Sequence, residues 1–138
     1  MKYNDSEGWE DLKYYYKNIN GRPIEYVKID RELEKLGIKG KGKAYPVESI
    51  KIEGWRVHAE NRLNQRGITK EQALSYMDNA VVMMKKYPEP QTQYNYYSEE
   101  GLIGVLKDSC LVATVFSKKQ FKDDSVAILE VAKKRLKS

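Results

Sequence analysis

One cysteine, Cys110, in 138 residues excludes an intramolecular disulfide, so the fold is not a stapled scaffold. Histidine is as scarce, with His58 alone. One Cys and one His leave only carboxylates to complete a four-ligand zinc shell, and a two-histidine acid–base pair is excluded. No metal or other cofactor is expected. Long apolar runs are missing too: residues 80–84 and 111–113 with their neighbours are far too short for a bilayer core of about 30 Å, so no membrane partner is expected. The opening Met1-Lys2-Tyr3-Asn4-Asp5 lacks the apolar run of a secretory signal, so export would need another route or a larger parent chain. No Gly-rich phosphate loop follows a strand-like run, which weighs against nucleotidyl or ADP-ribosyl transfer.

What is present describes one globular domain over residues 1–138. Hydrophobic residues make up 41% and charged residues 33%, enough apolar surface for a core at this length. Cys110, beside Leu111 and Val112, reads as a buried thiol. The net charge is +5, and the cations cluster as Lys35, Lys39, Lys41 and Lys43, then as Lys133, Lys134, Arg135 and Lys137. Such clusters fit a solvated surface and a helix C-terminus, or attraction to phosphates.

Asp5-Ser6-Glu7 resembles a cap for a short amphipathic helix over 5–17. Residues 24–29 alternate as an extended segment or strand, and 30–36 make two helical turns ending at Gly37. Gly40-Lys41-Gly42-Lys43 is a flexible basic loop suited to phosphate contact. Residues 55–65 read as a helix stopped by Gly67, and Thr69 with Gln72 forms a capping box for a second, with Ala73, Leu74 and Met77 inward. Four β-like runs follow, at 81–86, 93–97, 102–107 and 111–116, with Pro88-Glu89-Pro90 among the breaks. A final helix over 123–136 has Val126, Ile128, Leu129 and Ala132 on its apolar face. The expected class is α+β, with helices on one face of a four-stranded antiparallel meander.

Three groups of residues could carry chemistry. On a helix, His58 and Arg62 lie one turn apart with Arg66 a turn further, combining a side chain that exchanges protons near neutrality with fixed cations. That suits RNA cleavage, and it equally describes a helix surface. Thr114, Ser117, Lys118 and Lys119 sit at the end of the last strand and in its turn. Gln93-Tyr94-Asn95-Tyr96-Tyr97 is rich in aromatics, with Tyr94 and Tyr96 on one face and Asn95 and Tyr97 on the other.

The run His58-Ala59-Glu60-Asn61-Arg62 through Arg66-Gly67-Ile68-Thr69, with a meander ending Val112-Ala113-Thr114-Val115-Phe116, resembles the barnase, EndoU, colicin and RelE-like nuclease superfamily. The likeness is to its phage head-associated and polymorphic-toxin C-terminal domains. It covers residues 55–117; residues 1–50 and the helix over 123–136 lie outside it. The resemblance implies a metal-independent ribonuclease that cleaves RNA, with tRNA among the substrates considered, by transesterification to a 2′,3′-cyclic phosphate. His58 would be the general base or acid, Arg62 and Arg66 the phosphate clamp, Thr114 a positioning hydroxyl and Tyr97 a cleft residue, with Lys118 and Lys119 near substrate. It further implies cytoplasmic action, delivery within a larger toxin or phage particle, and an acidic immunity partner. The rival expectation is a non-catalytic nucleic-acid- or protein-binding module.

Overall fold

The computed structural model describes residues 6–86 and 92–137. A π-helical turn, Ser6–Glu10, runs into α1 (Asp11–Asn18), and Asn20 and Gly21, both at positive φ, redirect the chain into α2 (Ile24–Lys35). Residues 24–29 are therefore helical, not extended. Over six residues their alternation fits either period, and burial decides it: Val27, Ile29, Asp30 and Leu33 are all inside, at helical spacing. The proposed cap residue Asp5 and the break Pro88-Glu89-Pro90 lie outside the described residues.

After β1 (Lys43–Tyr45) and β2 (Gly54–Trp55) come α3 (Val57–Arg66) and α4 (Lys70–Asp78). Gly67 stops α3 at φ 66°, a left-handed cap, and Thr69 and Gln72 form the reciprocal capping box that opens α4. Then follow β3 (Val82–Lys86), β4 (Gln93–Tyr97), β5 (Gly101–Leu106), β6 (Leu111–Ser117) and α5 (Asp123–Leu136). The expected meander β3–β6 is the middle of a larger, six-stranded sheet ordered β1-β3-β4-β5-β6-β2. β1 joins antiparallel to β3, and β2 joins parallel to β6. At three and two residues these edge strands are too short to show alternation in the sequence.

Helices cover both faces of the sheet, not one. Ala59 and Leu63 of α3 and Ala73, Tyr76 and Met77 of α4 pack on Met83, Tyr94, Tyr96, Ile103, Val105, Val112 and Val115. On the other face, Ile29 and Leu33 of α2 and Ile128, Leu129 and Ala132 of α5 pack on Val82, Met84, Tyr97 and Leu102. The strands are thus apolar on both sides, apart from a polar strip described below. Leu74 and Val126, expected inside, are 38% and 37% exposed, and the buried face of α4 is made by Ala73, Tyr76 and Met77. Cys110 is only half-buried, at positive φ in the β5–β6 turn. Among the described residues no helix is long and apolar enough to cross a membrane.

The N-terminal helices are tied to the sheet edge by a buried ion pair. Arg22 Nη1 donates to Asp30 Oδ2 at 2.6 Å and to the Ala44 carbonyl at 2.7 Å, while Nη2 reaches the Asn18 carbonyl at 2.7 Å. Asp30 Oδ1 accepts from the Ala44 N–H at 2.9 Å, and the guanidinium lies 5.0 Å from the centre of the Tyr45 ring. One arginine thereby joins α1, α2 and β1. Burial pushes the Asp30 carboxyl up from its ordinary range, opposed by the Ala44 N–H and by Arg22. Removing one partner strands the other charge inside. Asp30→Ala is expected to cost about 3–5 kcal/mol in urea unfolding. The double change Arg22→Met with Asp30→Leu should cost clearly less, because no buried charge is left unpaired.

Candidate polyanion-binding cleft

On the face of the sheet that carries α2 and α5, two neighbouring rows cross β3–β6: Val82, Tyr97, Leu102, Phe116 and Met84, Asn95, Gly104, Thr114. Val82 and Met84 are fully buried, and from β4 to β6 both rows border a cleft of about 450 Å³, within the usual range of ligand sites.

Five cations line this cleft, Lys41, Arg62, Arg66, Lys86 and Lys122, against one carboxylate, Asp124. They arrive from four places: the loop before β1, the exposed turns of α3, the end of β3 and the residue preceding α5. None of the five takes part in an ion pair among the described residues. In the basic cluster of α5, by contrast, Lys133 meets Glu99 at 2.7 Å, and Lys134 and Arg135 meet Glu32 at 3.1 and 3.0 Å. The basic cluster of α5 is thus largely neutralised, while the cleft is not.

Arg66 is held in place. Its Nη1 donates to the Val115 carbonyl at 2.6 Å, and its guanidinium lies 4.3 Å from the Phe116 ring centre. Burial, and then the Arg62 charge, pull it below its ordinary pKa. Two arginines without a carboxylate between them repel each other, a cost that an incoming anion would relieve.

The floor is neutral and polar. Gln93 Nε2 donates to Asn95 Oδ1 at 2.7 Å, and Asn95 is 8% exposed. Gly104 allows this: a Cβ there would fall 2.5 Å from Asn95 Oδ1, 2.6 Å from Gln93 Nε2 and 2.6 Å from Thr114 Cγ2. Without one, the three side chains lean together over the β5 backbone.

Of the residues singled out from the sequence, Arg62, Arg66, Tyr97 and Thr114 all line this cleft. His58 does not: it is exposed on the first turn of α3, one turn before Arg62. Lys118 and Lys119, in the short 3-10 turn after β6, also lie outside the lining, which takes Gln120 and Lys122 instead. Lys86 and Lys122 had no distinguishing mark in the sequence, and Gln93 and Asn95 stood out only as members of the aromatic run 93–97. Gly104 carried one, since a glycine inside a strand signals a bulge or a close approach, and the β5–β6 register does shift there. Among the described residues no group of three or more His, Cys, Asp or Glu converges as a metal site would need.

Burial pushes the Tyr97 hydroxyl up to about 12; the Ser125 side chain opposes the shift, and Asp124 adds to it. The phenol is therefore protonated near neutrality. A raised folded-state value favours folding fully below the unfolded value of about 10 and loses that contribution as pH rises toward the folded value. Stability to urea should fall between these two values in the native protein. Tyr97→Phe should flatten part of that fall and remove one late-titrating phenol from the absorbance titration.

No protein-family model, curated protein or solved structure matches the chain.

Proposed function

We propose that the protein engages RNA through the cationic cleft and acts as a metal-independent ribonuclease. The observation that carries this reading is the convergence of five unpaired cations on a cleft that also contains Thr114 and Tyr97. Unpaired Lys and Arg supply most of the affinity for a phosphate backbone, and pre-positioned guanidinium groups stabilise charge developing on phosphorus. In the reaction proposed, the ribose 2′-oxygen loses its proton and bonds to phosphorus. The bond from phosphorus to the 5′-oxygen breaks, and that oxygen takes up a proton, leaving a 2′,3′-cyclic phosphate. Arg62 and Arg66 hold the phosphate, Thr114 and the protonated Tyr97 donate hydrogen bonds, and His58, one turn from Arg62, is the proton acceptor. A toxin of this kind would be blocked by an acidic inhibitor matched to the cleft.

One observation favours a second reading. His58 is outside the cleft lining, as suits a module that binds nucleic acid through the same cations without cutting it.

The test is incubation with total RNA in EDTA, read on a denaturing gel beside binding measured at several salt concentrations. The ribonuclease reading expects cyclic-phosphate ends and a loss of about a hundredfold or more in cleavage rate with Arg62→Ala or His58→Ala. The binding reading expects intact RNA, binding unchanged in His58→Ala, and a salt slope shallower by about 0.7 in Arg62→Ala. RNA neither cut nor bound would contradict both.

A further inference from the structure

The cleft is divided by chemistry: charge at the rim and neutral hydrogen-bonding groups on the floor. Gln93 and Asn95 spend one bond on each other, leaving the Gln93 carbonyl oxygen and the Asn95 amide nitrogen without partners among the described residues. The Thr114 hydroxyl is likewise uncommitted, and all three side chains line the cleft. Asn95 is more than nine-tenths buried and lines the cleft, so what remains accessible of its side chain faces that space. A phosphate would not choose this floor, because the cations lie around it. A planar group with a donor beside an acceptor would.

Aromatic walls stand beside these groups. Tyr97 and Phe121 meet edge to face at 6.2 Å, and Phe116 is clamped beneath Arg66. A flat, neutral, polar ring attached to an anion matches this division. Every nucleobase carries a donor next to an acceptor on its pairing edge, and unstacked bases are held by such edge contacts and by aromatic faces.

We infer that Gln93, Asn95 and Thr114, brought together over Gly104, form a nucleobase subsite that seats one base of a single-stranded ribonucleotide while Arg62 and Arg66 take its phosphate. The inference rests on the polyanion reading of the cleft and assigns specificity to Gln93 and Asn95, which have no role in the cleavage chemistry, with Thr114 shared between the two. Gly104 sets the subsite indirectly. A methyl at that position meets the far ends of three side chains, which can turn away without disturbing the β5 backbone, but the amide pair is then lost.

The experiment titrates the full chain with each of the four common ribonucleoside monophosphates and, separately, with ribose phosphate, which keeps the anion and lacks the base. At least one nucleotide is expected to bind about tenfold or more tighter than ribose phosphate, as one well-made base contact allows. Gly104→Ala and the near-isosteric Asn95→Leu should each bring that ratio close to one, with urea midpoints confirming that both variants fold. Arg62→Ala should weaken nucleotide and ribose phosphate together and preserve the ratio. If the native protein binds ribose phosphate and nucleotides equally, the base subsite is overturned and the phosphate cleft stands. A ratio that survives in both Gly104→Ala and Asn95→Leu overturns the assignment to these residues. If neither ligand class binds, both readings fall.

Discussion

Arg22 and Asp30 neutralise each other inside the protein, and the N-terminal part of the chain is held to the sheet through them. Guanidinium and carboxylate together satisfy the backbone of Asn18 and both polar groups of Ala44, so α1, α2 and the edge strand β1 are set by one cluster. The edge is further fitted at Gly42, where φ is 91° and a Cβ would lie 2.2 Å from the Lys85 carbonyl oxygen. Only glycine tolerates both conditions. Lys41, one residue earlier, is thereby placed on one wall of the cleft.

The opposite wall is set by different physics. Gly67 ends α3 where Arg66 can reach across β6 to the Val115 carbonyl and the Phe116 ring, and apolar contacts of Ala59 and Leu63 fix the helix behind it. Between the walls, the Asn95–Gly104–Thr114 row is a polar strip on the face that also carries Val82, Met84, Tyr97 and Leu102. Lys133, Lys134 and Arg135 on α5 are spent on Glu99 and Glu32, and Arg31, Lys35 and Lys70 on Asp11 and Glu60, whereas the cations of the cleft are in no ion pair among the described residues. Net charge is modest, and its distribution gives the cleft its character.

The sequence made the repeating elements legible. The meander strands, the left-handed stop at Gly67, the capping box at Thr69 and the helix over 123–136 all follow from local periodicity and cap chemistry. What escaped depends on tertiary context. Residues 24–29 are helical because Asp30 and Leu33 continue the buried stripe, and Asp30, which in the sequence resembles a helix cap, is instead inside α2 and paired with Arg22. The edge strands β1 and β2 carry no usable period. Arg62, Arg66, Tyr97 and Thr114 stood out in the sequence and share one cleft; Gln93 and Asn95 stood out only for the tyrosines beside them, and the glycine across from them is what sets their amides together. His58, the most conspicuous single residue in the composition, lies outside that lining.

The most direct test follows backbone amide resonances by NMR while a short single-stranded RNA is added to the full chain. Shifts concentrated at Asn95, Gly104, Thr114 and Arg66 are the predicted result, since those amides border the floor and the arginine wall. Shifts confined to Lys133, Lys134 and Arg135 at the far end of α5, with the cleft silent, would contradict the account.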